Sequence, residues 1–271
     1  MTGFQAYLHA KRTVDDRALN RRVLARLQCE LPDDSSQVVE IGAGVGTGIT
    51  RLHGWGVLPE NVSYTAIDRQ PETIAAAREH LLERGFTEDG NRLRRGGITV
   101  SLVTEDALDI VDDEQCDLLV AQAVLDLLDL DSVLPTLFDA LSPGGFAYFP
   151  ITFDGGTIFE PEHPFDERVV DAYHRDMDRE GDSRTGRRLF SAIPEAGGEI
   201  IAAGSSDWVV YPPYSGDEQA FLSHILDTIE GALAGGAVGG ELDEWISTRR
   251  EQLANEDLTY IAHQLDVLAR R

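Results

Sequence analysis

The chain has 271 residues, 42% of them hydrophobic, which suffices for one large α/β domain or for a core domain with a cap. Its formal net charge is -25, and Lys11 is the only lysine among the 23 basic residues. This composition disfavours nucleic acid as a partner, because phosphate contacts require clustered lysine and arginine. No apolar run approaches the ~20 residues needed to span a bilayer, and the N-terminal residues lack the apolar core of a signal peptide. The sequence therefore predicts a cytoplasmic protein that binds neither membrane nor nucleic acid, and it leaves the oligomeric state open.

The acidic residues are dispersed along the chain, with pairs at 15–16 and 33–34 and a run at 112–114, rather than gathered in one tail. At 1 M salt the Debye length is only about 3 Å, so repulsion within an acidic surface is largely screened. A dispersed acidic surface with almost no lysine is halophile-like. We therefore expect a protein adapted to molar intracellular salt.

Residues 4–28 are predicted to be helical, because Val23, Leu24 and Leu27 recur at helical spacing. The polar part of this segment, which includes Asp15, carries charges of both signs and is most simply a solvated helix face. The alternative is a lid over a ligand, with a cation near a carboxylate. The candidate lid residues are Tyr7, Lys11, Arg12 and Arg17. The one retained lysine favours the lid, because a compact ammonium and the wider fork of arginine are not interchangeable.

The most distinctive stretch is an apolar strand predicted at 38–41, followed by glycine at every second position from 42 to 48. Glycine lets the backbone turn at positive φ and approach a ligand with no Cβ in the way. The free amides at the start of the following helix favour polar or anionic groups. Alone, the pattern fits either a tight turn without a ligand or a nicotinamide or flavin Rossmann loop. An acid, Glu40, stands just before the first glycine.

Two further predicted strands lead into carboxylates. The strand at 62–67 runs into Asp68, which is followed by Arg69 and by a helix with Pro71 in its first turn. A carboxylate at a strand's C-terminal end, beside a glycine loop, can accept both ribose hydroxyls of a nucleoside. The strand at 98–103 leads to Asp106 and Ala107, where Asp106 could also be a simple helix cap.

A fourth strand is predicted at 116–121 with Gln122 just past its end, then a helix at 134–141 and a fifth strand at 146–151. A Pro-Gly-Gly turn precedes the fifth strand. Four motifs follow one another along the chain: the glycine loop preceded by Glu40, Asp68 at the end of a strand, the pair Asp106-Ala107, and the fourth strand at 116–121, whose second residue is an aspartate. Together they resemble the motifs of the class I S-adenosylmethionine (SAM) dependent methyltransferases. The resemblance covers 38–151, which is less than half of the chain.

The resemblance implies SAM as cofactor and a role for each motif. The glycine loop and its acid would line the methionine and ribose parts, the strand-end acid would take the ribose hydroxyls, and the acid-Ala pair would hold adenine. The residue after the fourth strand would face the methionine moiety. The implied cofactor residues are Glu40, Gly42, Ala43, Gly44, Gly46, Asp68, Arg69, Asp106, Ala107 and Gln122.

The implied fold is α/β, a Rossmann-like doubly wound seven-stranded sheet with a terminal antiparallel strand and a mostly helical cap. We predict an N-terminal helical lid at 1–34, a SAM-binding core at 35–151, a cap insertion at 152–198 and the rest of the sheet with extra helices at 199–271. Within the last part we expect a sixth strand region at 199–211, helices at 217–233 and 241–254, and a closing strand at 258–268.

The implied activity is methyl transfer from SAM to a small molecule. No catalytic residue can be chosen; His163, Tyr173 and His174 are candidates for acceptor contacts, although each is more simply explained by packing. No metal-ligand spacing is present, so no metal site is expected. An NAD(P)-dependent Rossmann oxidoreductase is the rival enzyme, disfavoured by Glu40 and by the Asp106-Ala107 pair. A SAM-binding protein without turnover is a third alternative.

Overall fold

The computed structural model describes residues 3–111, 115–236 and 238–271. The acidic run at 112–114 therefore lies outside the described residues. Ten strands form one sheet: β1 (Ser35–Ile41), β2 (Asn61–Asp68), β3 (Thr87–Asp89), β4 (Arg92–Arg95), β5 (Ile98–Thr104), β6 (Cys116–Ala121), β7 (Leu141–Glu160), β8 (Glu199–Ser205), β9 (Trp208–Val210) and β10 (Thr259–Arg270).

The helices are α1 (Gly3–Ala18), α2 (Arg21–Glu30), α3 (Thr47–Gly54), α4 (Pro71–Glu83), α5 (Ala107–Val111), α6 (Leu130–Asp139), α7 (Asp166–Met177), α8 (Thr185–Glu195), α9 (Gly216–Leu233) and α10 (Gly239–Ala254). A 3₁₀ turn lies at Leu125–Leu127. No helix in the described part of the chain combines the length and apolarity of a membrane crossing.

The central strands follow the order β5-β2-β1-β6-β7-β10-β8. The first five are mutually parallel, and β10 runs antiparallel to both β7 and β8. This confirms the predicted seven-stranded α/β sheet with its terminal antiparallel strand. The chain moves outward from β1 through β2 to β5 and then returns to β6, so the strand order reverses between β1 and β6. In open α/β sheets, ligands bind at the carboxyl ends of the strands at this reversal.

Helices cover both faces of the sheet. In β1, Val38 packs into one apolar cluster with Leu27 and Ile49, while Val39 packs into a second cluster with Leu137. Because a strand alternates its side chains, a strand that is buried on both faces must be apolar at successive positions. This explains why the two successive valines, Val38 and Val39, indicate a strand that is buried on both faces.

The sheet is larger than predicted. The hairpin β3–β4 extends it beside β5, and the predicted sixth strand region is divided into β8 and β9. Strand β7 continues to Glu160 instead of ending at 151, because its last residues pair with the start of β10. Gly156 permits this pairing, since a Cβ there would lie 2.7 Å from the Cβ of His263.

Two predicted helices have different ends. The leading helical segment is interrupted before Asn20, whose side chain caps α2 by accepting from the amides of Arg22 and Val23. Helix α6 runs from Leu130 to Asp139, four residues earlier at its start than the predicted 134–141. Helices α1, α7 and α10 all pack against α9, and residues of α1 also line the cavity described below.

Candidate functional site

The glycine loop between β1 and α3 has the backbone geometry that the sequence predicted. Gly42, Gly44 and Gly46 have φ values of 63°, 55° and 75°, which residues with a Cβ rarely adopt. A Cβ on Gly42 would also lie 2.9 Å from a methyl carbon of Val124. The amide of Ala43 donates to the carbonyl of Ile67, at 2.9 Å, and so ties the loop to β2.

This loop forms one wall of a cavity of about 480 Å³ at the carboxyl ends of β1, β2 and β6. The volume lies in the range of small-molecule sites, about 300–1,000 Å³. All but one of the predicted cofactor residues line it: Glu40, Gly42, Ala43, Gly44, Asp68, Arg69, Asp106, Ala107 and Gln122. The exception, Gly46, lies behind the loop, where a Cβ would contact the Cβ of Ala77 in α4 at 3.5 Å.

Asp68 connects the glycine loop to the start of α4. One of its carboxylate oxygens accepts a hydrogen bond from the amide of Gly44 at 3.0 Å, and the other accepts from the amide of Gln70 at 2.9 Å. A carboxylate has about four lone-pair positions, so each oxygen can accept one further hydrogen bond from the cavity.

Glu40 is buried beneath the loop. Its carboxylate accepts a hydrogen bond from the hydroxyl of Tyr64 at 2.9 Å, and a Cβ on Gly48 would overlap it. Burial raises the pKa of Glu40 to about 7, although the Tyr64 hydrogen bond and the charge of Arg51 act in the opposite direction. Gly48 is therefore required where α3 begins, because only glycine leaves room for this acid.

Asp106 lies at the opposite end of the cavity. Its carboxylate accepts a hydrogen bond from the amide of Leu108 at 3.1 Å, at the start of α5. Asp106 therefore makes the helix-capping contact that was predicted as its alternative role. The side chain is exposed and also lines the cavity, so the capping contact leaves it accessible to a ligand.

A buried arginine that is not among the predicted site residues stands beside the cavity. Arg51 of α3 donates from Nε to Asp16 at 2.6 Å and from Nη1 to the amide oxygen of Gln122 at 2.8 Å. Its Nη2 atom is buried and has no hydrogen-bond partner among the described residues; Oδ2 of Asp15 lies 3.9 Å away. The available signal was its position on the apolar face of α3, between Ile49 and Leu52.

Asp15 is not on a solvated helix face, as its sequence context suggested, but is buried at the cavity wall. It accepts hydrogen bonds from the indole of Trp208 at 3.0 Å and from the amide of Gln122 at 3.1 Å. The ammonium of Lys11 lies 3.7 Å from the same carboxylate. Burial raises the pKa of Asp15, and Lys11 is the strongest of the charges opposing that shift.

Of the four lid candidates, only Lys11 lines the cavity. Its ammonium lies 5.1 Å from the ring centre of Trp208 and 5.9 Å from that of Tyr7. Tyr7 stacks on His224 of α9, with ring centres 4.0 Å apart. Arg17 of α1 pairs with Glu218 of α9 at 2.6 Å, and neither Arg17 nor Arg12 lines the cavity.

The acceptor candidates lie outside this cavity. His163 is in the turn before α7, where its Nδ1 accepts from the amide of Phe165 at 3.3 Å. His174 contacts the hydroxyl of Thr157 at 3.0 Å, and burial lowers its pKa. The pKa of Tyr173 is raised to about 12 by burial and by the nearby carboxylate of Asp126. Within the described ranges, no group of three or more His, Cys, Asp or Glu side chains is arranged to hold a metal ion.

A second cavity, of about 510 Å³, adjoins the first and shares Arg69 and Leu127 with it. It lies between the 3₁₀ turn and the C-terminal end of α7. Its remaining lining residues are Asp126, Asp176, Met177, Arg179, Glu180 and Gly181. None of these residues was singled out from the sequence.

Comparison with known proteins matches residues 39–149 to the model of a methyltransferase domain. No curated protein sequence matches the chain. A SAM-dependent methyltransferase from Thiobacillus denitrificans, solved with S-adenosylhomocysteine, is similar in structure with a TM-score of 0.52 and 18% identity, over 94% of this chain and 93% of that one. Its counterpart from Geobacter sulfurreducens has the same TM-score and coverage at 16% identity. A cyclopropane synthase from Mycobacterium tuberculosis has a TM-score of 0.51 at 11% identity, over 92% and 83% of the two chains.

The fold is thus that of the class I SAM-dependent methyltransferases, as the resemblance predicted. Residues 39–149 match the model of a methyltransferase domain, and the similar structures from Thiobacillus denitrificans and Geobacter sulfurreducens were both solved with S-adenosylhomocysteine. The matched segment begins within β1 and ends within β7, so it contains the glycine loop and the strand ends that surround the first cavity.

Proposed function

We propose that this protein transfers a methyl group from SAM to a small-molecule acceptor, with SAM in the cavity of about 480 Å³. The observation that carries the proposal is the convergence of the glycine loop, Asp68 and Asp106 on one cavity. These groups come from the ends of three different strands and are far apart in sequence. A tight turn without a ligand would not require the other two strand ends to present carboxylates to the same space.

The hydrogen-bonding groups that line the cavity match the ribose and adenine groups of SAM. Asp68 accepts the ribose hydroxyls with the lone pairs that Gly44 and Gln70 leave free. Asp106 accepts the exocyclic amine of adenine, and the backbone amide of Ala107 meets a ring nitrogen. Gly42 and Gly44 allow the loop backbone to approach the ligand, because no side chain intervenes.

The methionine end requires both charges, since it carries a carboxylate and an amine. We assign the carboxylate to Lys11, assisted by Arg51, whose Nη2 atom is buried without a hydrogen-bond partner among the described residues. Asp15, Glu40 and Gln122 are the acceptors available to the amine. In this assignment the N-terminal helix α1 acts as a lid that brings a cation to the cofactor.

Bound SAM supplies a methyl group already activated on a sulfonium. The work left to the protein is to hold the reactants in line and to exclude water. Helix α1 and the 3₁₀ turn cover the cavity from one side, with Leu8, Val124 and Leu127 as apolar wall. A general base is required only for an acceptor that arrives protonated.

The adjoining second cavity and the acidic surface support a small-molecule acceptor. The second cavity has the dimensions of a small-molecule site and opens beside the first. A net charge of -25 repels nucleic acid phosphates. We place the acceptor between the methyltransferase core and the cap formed by α1, α7, α9 and α10.

Calorimetric titration in molar salt tests the cofactor assignment. SAM and S-adenosylhomocysteine should bind, and NAD should not. Binding of NAD without SAM would indicate the oxidoreductase alternative. Incubation with SAM carrying a labelled methyl group and with a metabolite extract should then yield labelled small molecules. Binding of SAM without any transfer to the extract would support a non-catalytic SAM-binding protein instead.

A further inference from the structure

The second cavity carries an excess of negative charge. Arg179 is already paired with Asp176, at 2.6 Å. Among the described residues, the side chains of Asp126, Glu180 and Arg69 form no ion pair and no hydrogen bond with another residue. The cavity therefore presents two unpaired carboxylates and one unpaired guanidinium, and it is complementary to a cation.

Asp126 is the carboxylate nearest to the cofactor cavity. It belongs to the 3₁₀ turn, whose next residue, Leu127, lines both cavities. Its charge acts on the hydroxyls of Tyr7 and Tyr173 and is itself stabilised by the ammonium of Lys11, which lines the first cavity. The carboxylate thus lies in the second cavity, next to the residue that both cavities share and near the hydroxyls of Tyr7 and Tyr173.

The fold holds Asp126 at this position through the loop that follows α7. The amide of Asp182 donates to the carbonyl of Asp126 at 3.0 Å. A Cβ on Gly181 would overlap that carbonyl, so glycine is required for the loop to approach the turn. Arg188 of α8 then links Asp182 to Asp131 of α6. The turn is therefore fixed by the cap on one side and by the core on the other.

We propose that the methyl acceptor is a primary or secondary amine, bound as an ammonium ion in the second cavity with its nitrogen hydrogen-bonded to Asp126. This inference rests on the proposed function and names the acceptor class for the same site. The Asp126 carboxylate is half-buried and forms no ion pair or hydrogen bond with another described side chain, and a bound ammonium would supply that partner. A neutral alcohol could not form an ion pair with Asp126, and a carboxylate acceptor would be repelled by it.

The reaction balances with Asp126 as the proton acceptor. The ammonium nitrogen gives one proton to the Asp126 carboxylate and is left with a lone pair. The nitrogen then bonds to the methyl carbon, whose bond to sulfur breaks with the electron pair remaining on sulfur. Asp126 releases its proton to solvent as the methylated ammonium product leaves. Burial raises the pKa of Asp126 to about 6, which makes it a stronger base than an ordinary carboxylate while it stays ionised at neutral pH.

The acceptor class is tested with the full-length enzyme, SAM with a labelled methyl group, and a metabolite extract divided in two. One half is treated with an acetylating reagent that blocks primary and secondary amines. We expect labelled products from the untreated half and their loss from the acetylated half. Undiminished labelling of the acetylated half would overturn the proposal. If neither half is labelled, the proposed function fails, and that result is distinct from failure of the amine assignment.

The role of Asp126 is tested by Asp126→Asn, with Asp171→Asn as the matched control. Asp171 is an exposed acid of α7 that lines neither cavity. Benzylamine and benzyl alcohol serve as probes, and their binding to the protein saturated with S-adenosylhomocysteine is followed by ligand-observed NMR. We expect the wild type and the control to prefer the amine, and Asp126→Asn to weaken benzylamine binding about 10- to 100-fold. The alcohol should be unaffected.

Two outcomes would refute this role. Equal binding of benzylamine by wild type and Asp126→Asn would show that the carboxylate does not hold the ammonium. A selective loss of SAM affinity relative to S-adenosylhomocysteine in Asp126→Asn, with benzylamine binding unchanged, would show that Asp126 faces the sulfonium charge instead. Both measurements use folded, cofactor-binding protein, so a loss of cofactor binding is detected separately.

Discussion

Replacement of Asp68 by alanine separates cofactor binding from folding. The substitution removes the proposed hydrogen bonds to the ribose hydroxyls, and bonds to a charged group contribute about 1.5–3 kcal/mol. SAM affinity should therefore fall about 10- to 150-fold. The substitution also releases the amides of Gly44 and Gln70, which the carboxylate accepts at 3.0 and 2.9 Å. Because both amides lie at the loop surface, where water can replace the carboxylate, we expect a loss of about 1–3 kcal/mol in unfolding free energy.

Asp117→Ala is the matched control. Asp117 lies at the opposite end of β6 and accepts from the amide of Gln37 at 2.8 Å, so its loss also removes a carboxylate that bonds the backbone. It does not line the cavity. Calorimetry should show a large loss of SAM affinity for Asp68→Ala and none for Asp117→Ala, with both proteins folded by circular dichroism. Unchanged affinity in folded Asp68→Ala would mean that the ribose lies elsewhere.

Three further predictions concern charge. Thermal melting should rise steeply from about 0.1 M to 1 M salt as surface repulsion is screened, whereas a constant melting temperature would contradict adaptation to salt. Because the folded-state pKa of Glu40 is raised to about 7, the folded state holds its proton more tightly, so this acid should lower stability as pH rises from about 4.5 to 7. Denaturation of Glu40→Gln should show a smaller loss across that window, and an identical pH profile would refute the burial argument. Lys11→Gln should weaken SAM binding about tenfold, while Arg17→Gln, which alters an ion pair between α1 and α9, should not. Equal titrations of the two variants would remove Lys11 from the site.

The convergence of the glycine loop and the strand-end acids on one cavity could be predicted because its requirements are local. Gly42 must adopt positive φ, and Asp68 must stand at the end of a strand. Both features can be recognised from a few neighbouring residues in the sequence. The parallel arrangement of the strands then brings these features to one edge of the sheet. No knowledge of distant contacts was needed.

The charged network could not be predicted in this way. Arg51 and Asp15 are buried because their partners come from remote parts of the chain, Gln122 and Trp208. Local sequence shows only that an arginine and an aspartate are charged, so a solvated surface is the expected environment. Asp126 was missed for the same reason, since its position depends on Gly181 of the cap.

The extension of β7 illustrates the same limit in the fold. Two consecutive glycines, Gly155 and Gly156, interrupt the strand-like pattern and suggested a loop at the start of a cap. The strand continues because β10 supplies a partner and His263 occupies the space above Gly156. Gly156 is therefore needed because β10 lies close to β7 at this point, and the sequence around Gly156 does not show this pairing.

A crystal structure of the protein with S-adenosylhomocysteine tests the central claim most directly. We predict the ligand in the cavity beside the glycine loop, with its ribose hydroxyls on Asp68, its adenine amine on Asp106 and its carboxylate within reach of Lys11 and Arg51. A ligand bound elsewhere, or a ribose that makes no contact with Asp68, would contradict the account.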